Sequence, residues 1–143
     1  MKQLAFNLCF ATLAFVVLPF ASLAQTSSED PNAPEVIAAV APVFPPIARA
    51  VRAKGDVVID VSIEPDGTIH STKIVSGHVL LQKVSEAAAK KWKFAPSSAK
   101  ARSGRVFFGF GYIDGRESDP EYTITFKPPY RVDVVWNPPP PTY

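Results

Sequence analysis

The sequence holds a single cysteine, Cys9, and that residue lies inside an apolar run near the N-terminus. A product cut after this run contains no thiol, which excludes an internal disulfide and thiol catalysis. Charge of one sign is also scarce: 15 basic against 13 acidic residues leave a formal +2, too little to argue for nucleic acid. His70 and His78 are the whole imidazole supply. Together with Asp66 they match no metal motif and lack a third ligand, so they are read as surface histidines. Glu64 and Asp66 make no catalytic pair either, since a turn accounts for Asp66 and an exposed strand end for Glu64. No nucleophile, base and orienting group can be assembled, so no catalytic residue, metal or cofactor is expected, and an enzyme is set aside.

Long apolar runs are equally sparse. One exists, Leu4 to Val17, preceded by Lys2 and followed by Pro19 and Ser22-Leu23-Ala24. A positive start, an apolar centre and small residues before the cut describe a secretory signal peptide over 1–24, with the exported product beginning near Gln25 and residing in the periplasm or outside the cell. The alternative is a retained inner-membrane anchor facing the periplasm, because Leu4 to Ala24 is just long enough to span; membrane contact belongs to that case alone. Residues 25–41, without sustained period, read as a linker, 42–136 as one domain and 137–143 as a proline-rich tail.

What the sequence does have is a well-patterned hairpin. Val57, Ile59, Val61 and Ile63 alternate with Asp60 and Ser62 after Gly55, the period of a half-buried strand. Pro65-Asp66-Gly67 supplies a tight reversal before Thr68-Ile69 opens the return. Ile69 and Ile74 are an odd number apart, so a bulge near Ser71-Thr72 is needed to bring both to the core. Upstream, Pro45 and Pro46 open a short helix in which Ile47, Ala50 and Val51 recur at helical spacing, and Gly55 releases the chain into the strand. Downstream, Leu81, Val84, Ala88 and Trp92 predict an amphipathic helix of about four turns, limited by Pro96. Val106, Phe108, Phe110 and Tyr112 alternate against Phe107, Gly109, Gly111 and Ile113. Tyr122 to Phe126 alternates again, and Arg131 to Trp136 is a further strand or arm whose flanking prolines suggest an edge. Lys90, Lys91, Lys93, Lys100, Arg102 and Arg105, interleaved with Trp92 and Phe94, form a basic stretch that is read as a solvated face and not as a nucleic-acid site.

Three pieces in order, Pro42-Val-Phe-Pro-Pro-Ile-Ala48, Gly55-x-Val57-x-Ile59-x-Val61-x-Ile63-x-x-Asp66-Gly67-x-Ile69, and Ala88-x-x-x-Trp92-Lys93-Phe94-Ala95-Pro96, resemble the C-terminal domain of TonB, the periplasmic part of energy transducers for outer-membrane transport. The resemblance covers about residues 42–96 and makes Pro45, Ala48, Gly55, Val57, Asp66, Gly67, Trp92, Phe94 and Pro96 structural positions. It departs from the family at Leu81-Gln82 and Val84-Ser85, where paired alanines usually follow Leu-Asp. An anchor histidine and a long proline-rich spacer, expected of such transducers, are not recognised either, and residues 25–41 reach at most roughly 60 Å.

The resemblance implies an α+β fold, a three- to four-stranded antiparallel sheet with two helices packed on one face. It also implies a protein partner, an outer-membrane transporter or another envelope protein, captured by adding an extended segment to a sheet edge. An envelope adaptor with the same fold and no energy transduction is the alternative function, and a homodimer the alternative association. The candidate edge is a strand after Pro96, with Tyr122, Ile124 and Phe126 on one stretch and Arg131, Val132, Val134 and Trp136 on the other; the second is also able to fold back and fill the edge in cis.

Overall fold

The computed structural model describes residues 33–98, 100–113 and 121–138. The expected signal sequence over 1–24 lies outside them, as does most of the proline tail. Among the described residues no helix is long and apolar enough to cross a membrane.

Chain order is β1 (Val36–Ala38), α1 (Pro46–Ala50), β2 (Gly55–Ile63), β3 (Ile69–Ser76), α2 (Val79–Ala89), β4 (Lys93–Phe94), β5 (Arg102–Tyr112), β6 (Tyr122–Lys127) and β7 (Arg131–Trp136). The main sheet runs β3-β2-β5-β7-β6, and β1 pairs with β4 in a second, two-stranded sheet. The α+β class follows, but the main sheet has five strands instead of three to four. One of its pairs, β5 with β7, is parallel. The extra width comes from β6 and β7, which lie beyond the stretch that carries the sequence motifs.

Alternation does the work in the core. Val57, Ile59, Val61 and Ile63 of β2 are buried, and register places Val57 beside Phe108 and Ile59 beside Val106. Phe108 and Phe110 then neighbour Val132 and Val134, so one apolar face crosses three strands, β2, β5 and β7. The helices cover that face. The bulge expected at Ser71-Thr72 falls at His70, which lets Ile69 oppose Ile63 and Ile74 oppose Ile59; a second irregularity occurs at Val75.

Helix α1 buries Ala48 and leaves Ile47 and Val51 exposed, the reverse of the stripe expected from spacing. With five residues there is one inward position, and Ala48 holds it, its carbonyl accepting the Tyr112 hydroxyl of β5 at 3.1 Å. Helix α2 is shorter than four turns. It is capped by His78, whose Nδ1 accepts the Leu80 N–H at 3.3 Å, and buries Leu81, Ser85, Ala88 and Ala89, with Val84 half-buried. The buried Ser85 hydroxyl donates to Leu81 O at 2.8 Å, so its polarity is satisfied inside the helix. Trp92 lies past the helix end, 1% exposed, with its indole N–H donating to Val40 O at 2.9 Å.

That bond is one of several that bring residues 34–41, expected to be linker, into the fold. Ala95 N–H donates to Glu35 O at 2.8 Å and the Tyr130 hydroxyl to Pro34 O at 2.8 Å. Extended backbone with unpaired amides is read as a linker from sequence because nothing local shows its partner, here β4.

The hairpin turn and the Trp-Lys-Phe-Ala-Pro motif are one structural unit. Asp66 Oδ1 accepts from the Thr68 N–H at 2.9 Å and the Thr68 hydroxyl at 2.6 Å, which holds its carboxyl below the usual carboxylate range. Gly67, at φ +88°, receives the Phe94 N–H on its carbonyl at 2.9 Å, and Ser97 N–H donates to Pro65 O at 2.9 Å. A Cβ at Gly67 would overlap the Phe94 carbonyl oxygen. The glycine is therefore required twice, for its backbone angle and for the close approach of β4.

Candidate protein-binding edge

Sheet strands bond to neighbours through alternate residues, so the phase of one ladder bond fixes which groups face outward. Asn137 N–H donates to Glu121 O at 2.9 Å, which makes 121 and 137 a hydrogen-bonded antiparallel pair. Stepping along the β6–β7 register, Thr123, Thr125 and Lys127 are bonded to β7 while Tyr122, Ile124 and Phe126 turn their N–H and C=O groups away from it. Strand β6 is terminal in the sheet. Three outward-facing donors and acceptors thus line an edge whose register contains no irregularity.

The same three residues carry apolar side chains on the helix side of the sheet, because they oppose Trp136, Val134 and Val132. Coverage thins there: Ile124 is 59% and Phe126 43% exposed. Phe126 stands edge-on to Trp92 at 6.3 Å between ring centroids. At the other end the Arg49 guanidinium lies 5.8 Å from the Tyr122 ring centroid and 5.2 Å from that of Trp136, and donates to Glu121 Oε1 at 3.2 Å. Helix α1 in this way pins the start of β6 and leaves its middle open.

The two strands proposed from sequence are brought together as a hairpin, but only one is an edge. Strand β7 is interior, between β5 and β6, with Val132 and Val134 buried. The edge expectation for Arg131 to Trp136 is corrected on a simple ground: Pro128 and Pro129 occupy the turn, and the strand itself contains no proline, so each of its amides can bond. Phe107 N–H donates to Tyr130 O at 2.9 Å and Ile113 N–H to Trp136 O at 3.1 Å, closing both ends of the β5–β7 pair.

The other free edge is β3. It carries two irregularities, at His70 and Val75, and Lys73 lies between them. Bulges and an edge lysine discourage strand addition. The well-patterned hairpin therefore supplies β2 to the interior of the sheet and β3 to a blunted edge.

Sequence reasoning did not find what Gly109 does. On the face away from the helices, Arg131 Nη2 and Nη1 donate to Asp56 at 2.8 and 3.1 Å, and its Nε donates to Asp133 Oδ1 at 2.7 Å. Lys127 Nζ reaches Asp133 Oδ2 at 2.6 Å. Gly109 lies between Asp56 and Asp133 in register, and a Cβ there would crowd the Asp133 carboxylate and stand 2.8 Å from Arg131 Nη2. The glycine leaves the path along which Arg131 spans β5. The alternation marks Asp56, Asp133 and Lys127 as one polar face, but their pairing depends on a strand order that no local pattern reveals.

The hydrogen bonds to Asp56 lead in making Arg131 hold its proton more tightly than a free guanidinium. For Asp133, burial alone pushes the carboxyl up, but the hydrogen bond from Lys127 and the charge of Arg131 outweigh it, and the net shift is downward. A depressed carboxylate contributes stability above its unfolded pKa of about 3.9 and loses it as pH falls through the folded value. Asp133→Asn is accordingly expected to cost about 1–3 kcal/mol at neutral pH and to flatten the acid limb of a pH–stability curve. Urea melts from pH 7 to pH 2 check this; parallel curves for the two proteins would remove Asp133 from the acid limb.

The remaining polar candidates are structural. His70 Nδ1 lies 3.0 Å from Glu64 Oε1 at the exposed turn, and His78 caps α2. Among the described residues no group of three metal-ligating side chains converges. The basic stretch is divided: Arg105 pairs with Asp60 at 2.6 Å, Lys90 with Glu86 at 2.9 Å, and Arg102 donates to Ala95 O at 2.6 Å.

A comparison with curated proteins returns no match. Among solved structures, the solution structure of the Pseudomonas aeruginosa TonB C-terminal domain aligns with 26% identity and a TM-score of 0.45, over 53% of this chain and 83% of that one. The family model described as the Gram-negative bacterial TonB protein C-terminal matches residues 40–110, a span that begins after β1 and ends within β5. The chain carries a TonB C-terminal-like domain.

Proposed function

We propose that this protein is a periplasmic protein-binding domain that captures an extended segment of an outer-membrane transporter, or of another envelope protein, by adding it to the edge of β6. The observation that carries this reading is the outward-facing backbone of Tyr122, Ile124 and Phe126, unpaired among the described residues, on an unbulged edge strand with exposed apolar side chains. Such an edge gives affinity through main-chain hydrogen bonds and selectivity through alternate side chains. The family match to residues 40–110 supports a protein partner in the periplasm and a role linked to transport. An adaptor role without energy transduction uses the same edge and differs only in what the partner does next.

Ile124→Pro tests the reading because the Ile124 N–H points away from β7. Proline there removes an outward donor and leaves the ladder bonds at Thr123 and Thr125 in place. Titration calorimetry with peptides copying the periplasmic segments of the same organism's outer-membrane transporters is expected to show binding by the wild type and at least tenfold weaker binding by the variant. Its melting temperature is expected to stay within a few degrees. Equal peptide binding by the two proteins would show that β6 is not the capture edge.

A further inference from the structure

Charge is not spread evenly over the fold. Residues 42–54 and 79–91, which form or flank the two helices, hold six cations, Arg49, Arg52, Lys54, Lys83, Lys90 and Lys91, against one carboxylate, Glu86, although the whole chain carries only a formal +2. The helix layer is therefore basic and the remainder of the chain net acidic. Arg49 is shared with Glu121, and Glu86 is held by Lys90 at 2.9 Å and by the Thr72 hydroxyl at 2.8 Å. Arg52, Lys54, Lys83 and Lys91 enter no ion pair among the described residues, so four cations are left unmatched. Arg52 holds φ +50°, a backbone angle that glycine adopts at less cost, so a cation stands where local geometry alone favours a residue without a side chain.

The same layer exposes large apolar side chains. Val43 is 76%, Val79 72%, Ile47 62% and Val51 60% exposed. Ile47 and Val51 are four residues apart and share one row of α1, Val43 leads into that helix, and Val79 opens α2. None of the four is aromatic. Protein interfaces draw their energy from aromatic and arginine anchors and are poor in lysine, whereas lysine supplies four of these six cations. Aliphatic side chains scattered among flexible cations suit a surface that carries diffuse negative charge and admits apolar groups to a shallow depth. We infer that the helix layer is a docking face for an anionic lipid surface, with Arg52, Lys54, Lys83 and Lys91 against lipid phosphates and Val43, Ile47, Val51 and Val79 set into the boundary between headgroups and acyl chains.

The helices cover one face of the main sheet, so docking lays the sheet along the lipid surface and turns the face with Asp56, Arg131 and Asp133 away from it. Strands β3 and β6 stay at the rim. The contact belongs to the folded domain and uses no added strand, so it stands or falls separately from capture at β6.

Vesicle flotation tests it with residues 25–143, which contain all of the described fold and omit the apolar run Leu4 to Val17, whose own affinity for lipid would mask the effect. Binding to vesicles of phosphatidylglycerol and phosphatidylcholine in equal parts is expected to be about tenfold tighter than to phosphatidylcholine alone, and to weaken as salt is raised. Lys83→Gln with Lys91→Gln, and separately Ile47→Ser with Val51→Ser, are each expected to weaken that binding about tenfold. All four side chains are exposed, so melting temperatures are expected to stay within a few degrees of the wild type. Lys73→Gln with Arg105→Gln removes the same charge from the opposite face, where both residues flank Asp60, and is expected to bind as the wild type does. A wild type indifferent to phosphatidylglycerol, or an equal loss from the pairs on the two faces, overturns the proposal. Unchanged vesicle binding by the Ile47 and Val51 pair, together with tight binding of soluble polyglutamate, would assign the face to an acidic protein and overturns it as well.

Discussion

Trp92→Ala is expected to lower the stability of the domain by about 3–5 kcal/mol, out of a total margin of order 5–15 kcal/mol. The indole is 1% exposed and stands edge-on to Phe108 at 5.8 Å, with Phe94 at 6.2 Å and Phe126 at 6.3 Å. It therefore touches the centre of the sheet, the short β4 strand and the candidate edge at once. Its N–H also holds Val40 O, next to the segment that contains β1. Alanine leaves a cavity that these rings, anchored on three different strands, cannot jointly close. Trp92→Phe keeps most of the ring contacts, loses the bond to Val40, and is expected to cost about 1–2 kcal/mol. Urea denaturation followed by circular dichroism ranks the three proteins. A Trp92→Ala midpoint close to that of the wild type would show that the indole packs elsewhere in solution.

Trp92 also shows how legible the chain was. Its burial was readable from a stripe of apolar residues, yet the stripe assigned it to a helix that ends at Ala89. Spacing recognises that a residue faces inward; it does not recognise whether the last turn is helix or loop. The Gly55–Ile63 strand, its turn and the alternation of Phe108 and Phe110 were read correctly because a period of two is a local signal. The stripe on α1 was read backwards, because Ala48 carries less hydrophobicity than Ile47 or Val51 and a five-residue helix offers too little period to overrule that. The linker assignment failed for residues 34–41, and the edge assignment failed for β7, for a common reason. Both depend on which distant strand supplies the hydrogen-bond partner, β4 in one case and β5 in the other. Of the candidate edge, Tyr122, Ile124 and Phe126 were named from alternation alone, but that their backbone groups face outward follows only from the ladder phase that the fold imposes.

The position of β7 reverses what deletion of residues 128–143 is expected to do. Were Arg131 to Trp136 an arm laid over an otherwise complete sheet, its removal would leave a folded domain with a fresh edge and a gain in peptide binding. In the structure Val132 and Val134 are buried against Phe108 and Phe110, and Trp136 packs on Phe44 at 6.5 Å and on Tyr112 at 5.5 Å. Burying two valines contributes about 1.5–3 kcal/mol each, before the rings they cover are counted. The loss does not stop there, because among the described residues β6 pairs with β7 alone and is released with it. Two of five strands leave the sheet together, and the polar group Asp56–Arg131–Asp133–Lys127 is dismantled on the opposite face. A chain ending at Lys127 is therefore expected to lose its cooperative unfolding transition and the dispersed amide spectrum of a folded domain. The opposite outcome has a definite meaning, because the family match ends at residue 110, before either strand begins. A truncated chain that melts cooperatively and binds extended peptides at β5 would show that β7 fills that edge in cis, and would move the capture site from β6 to the strand that β7 now covers.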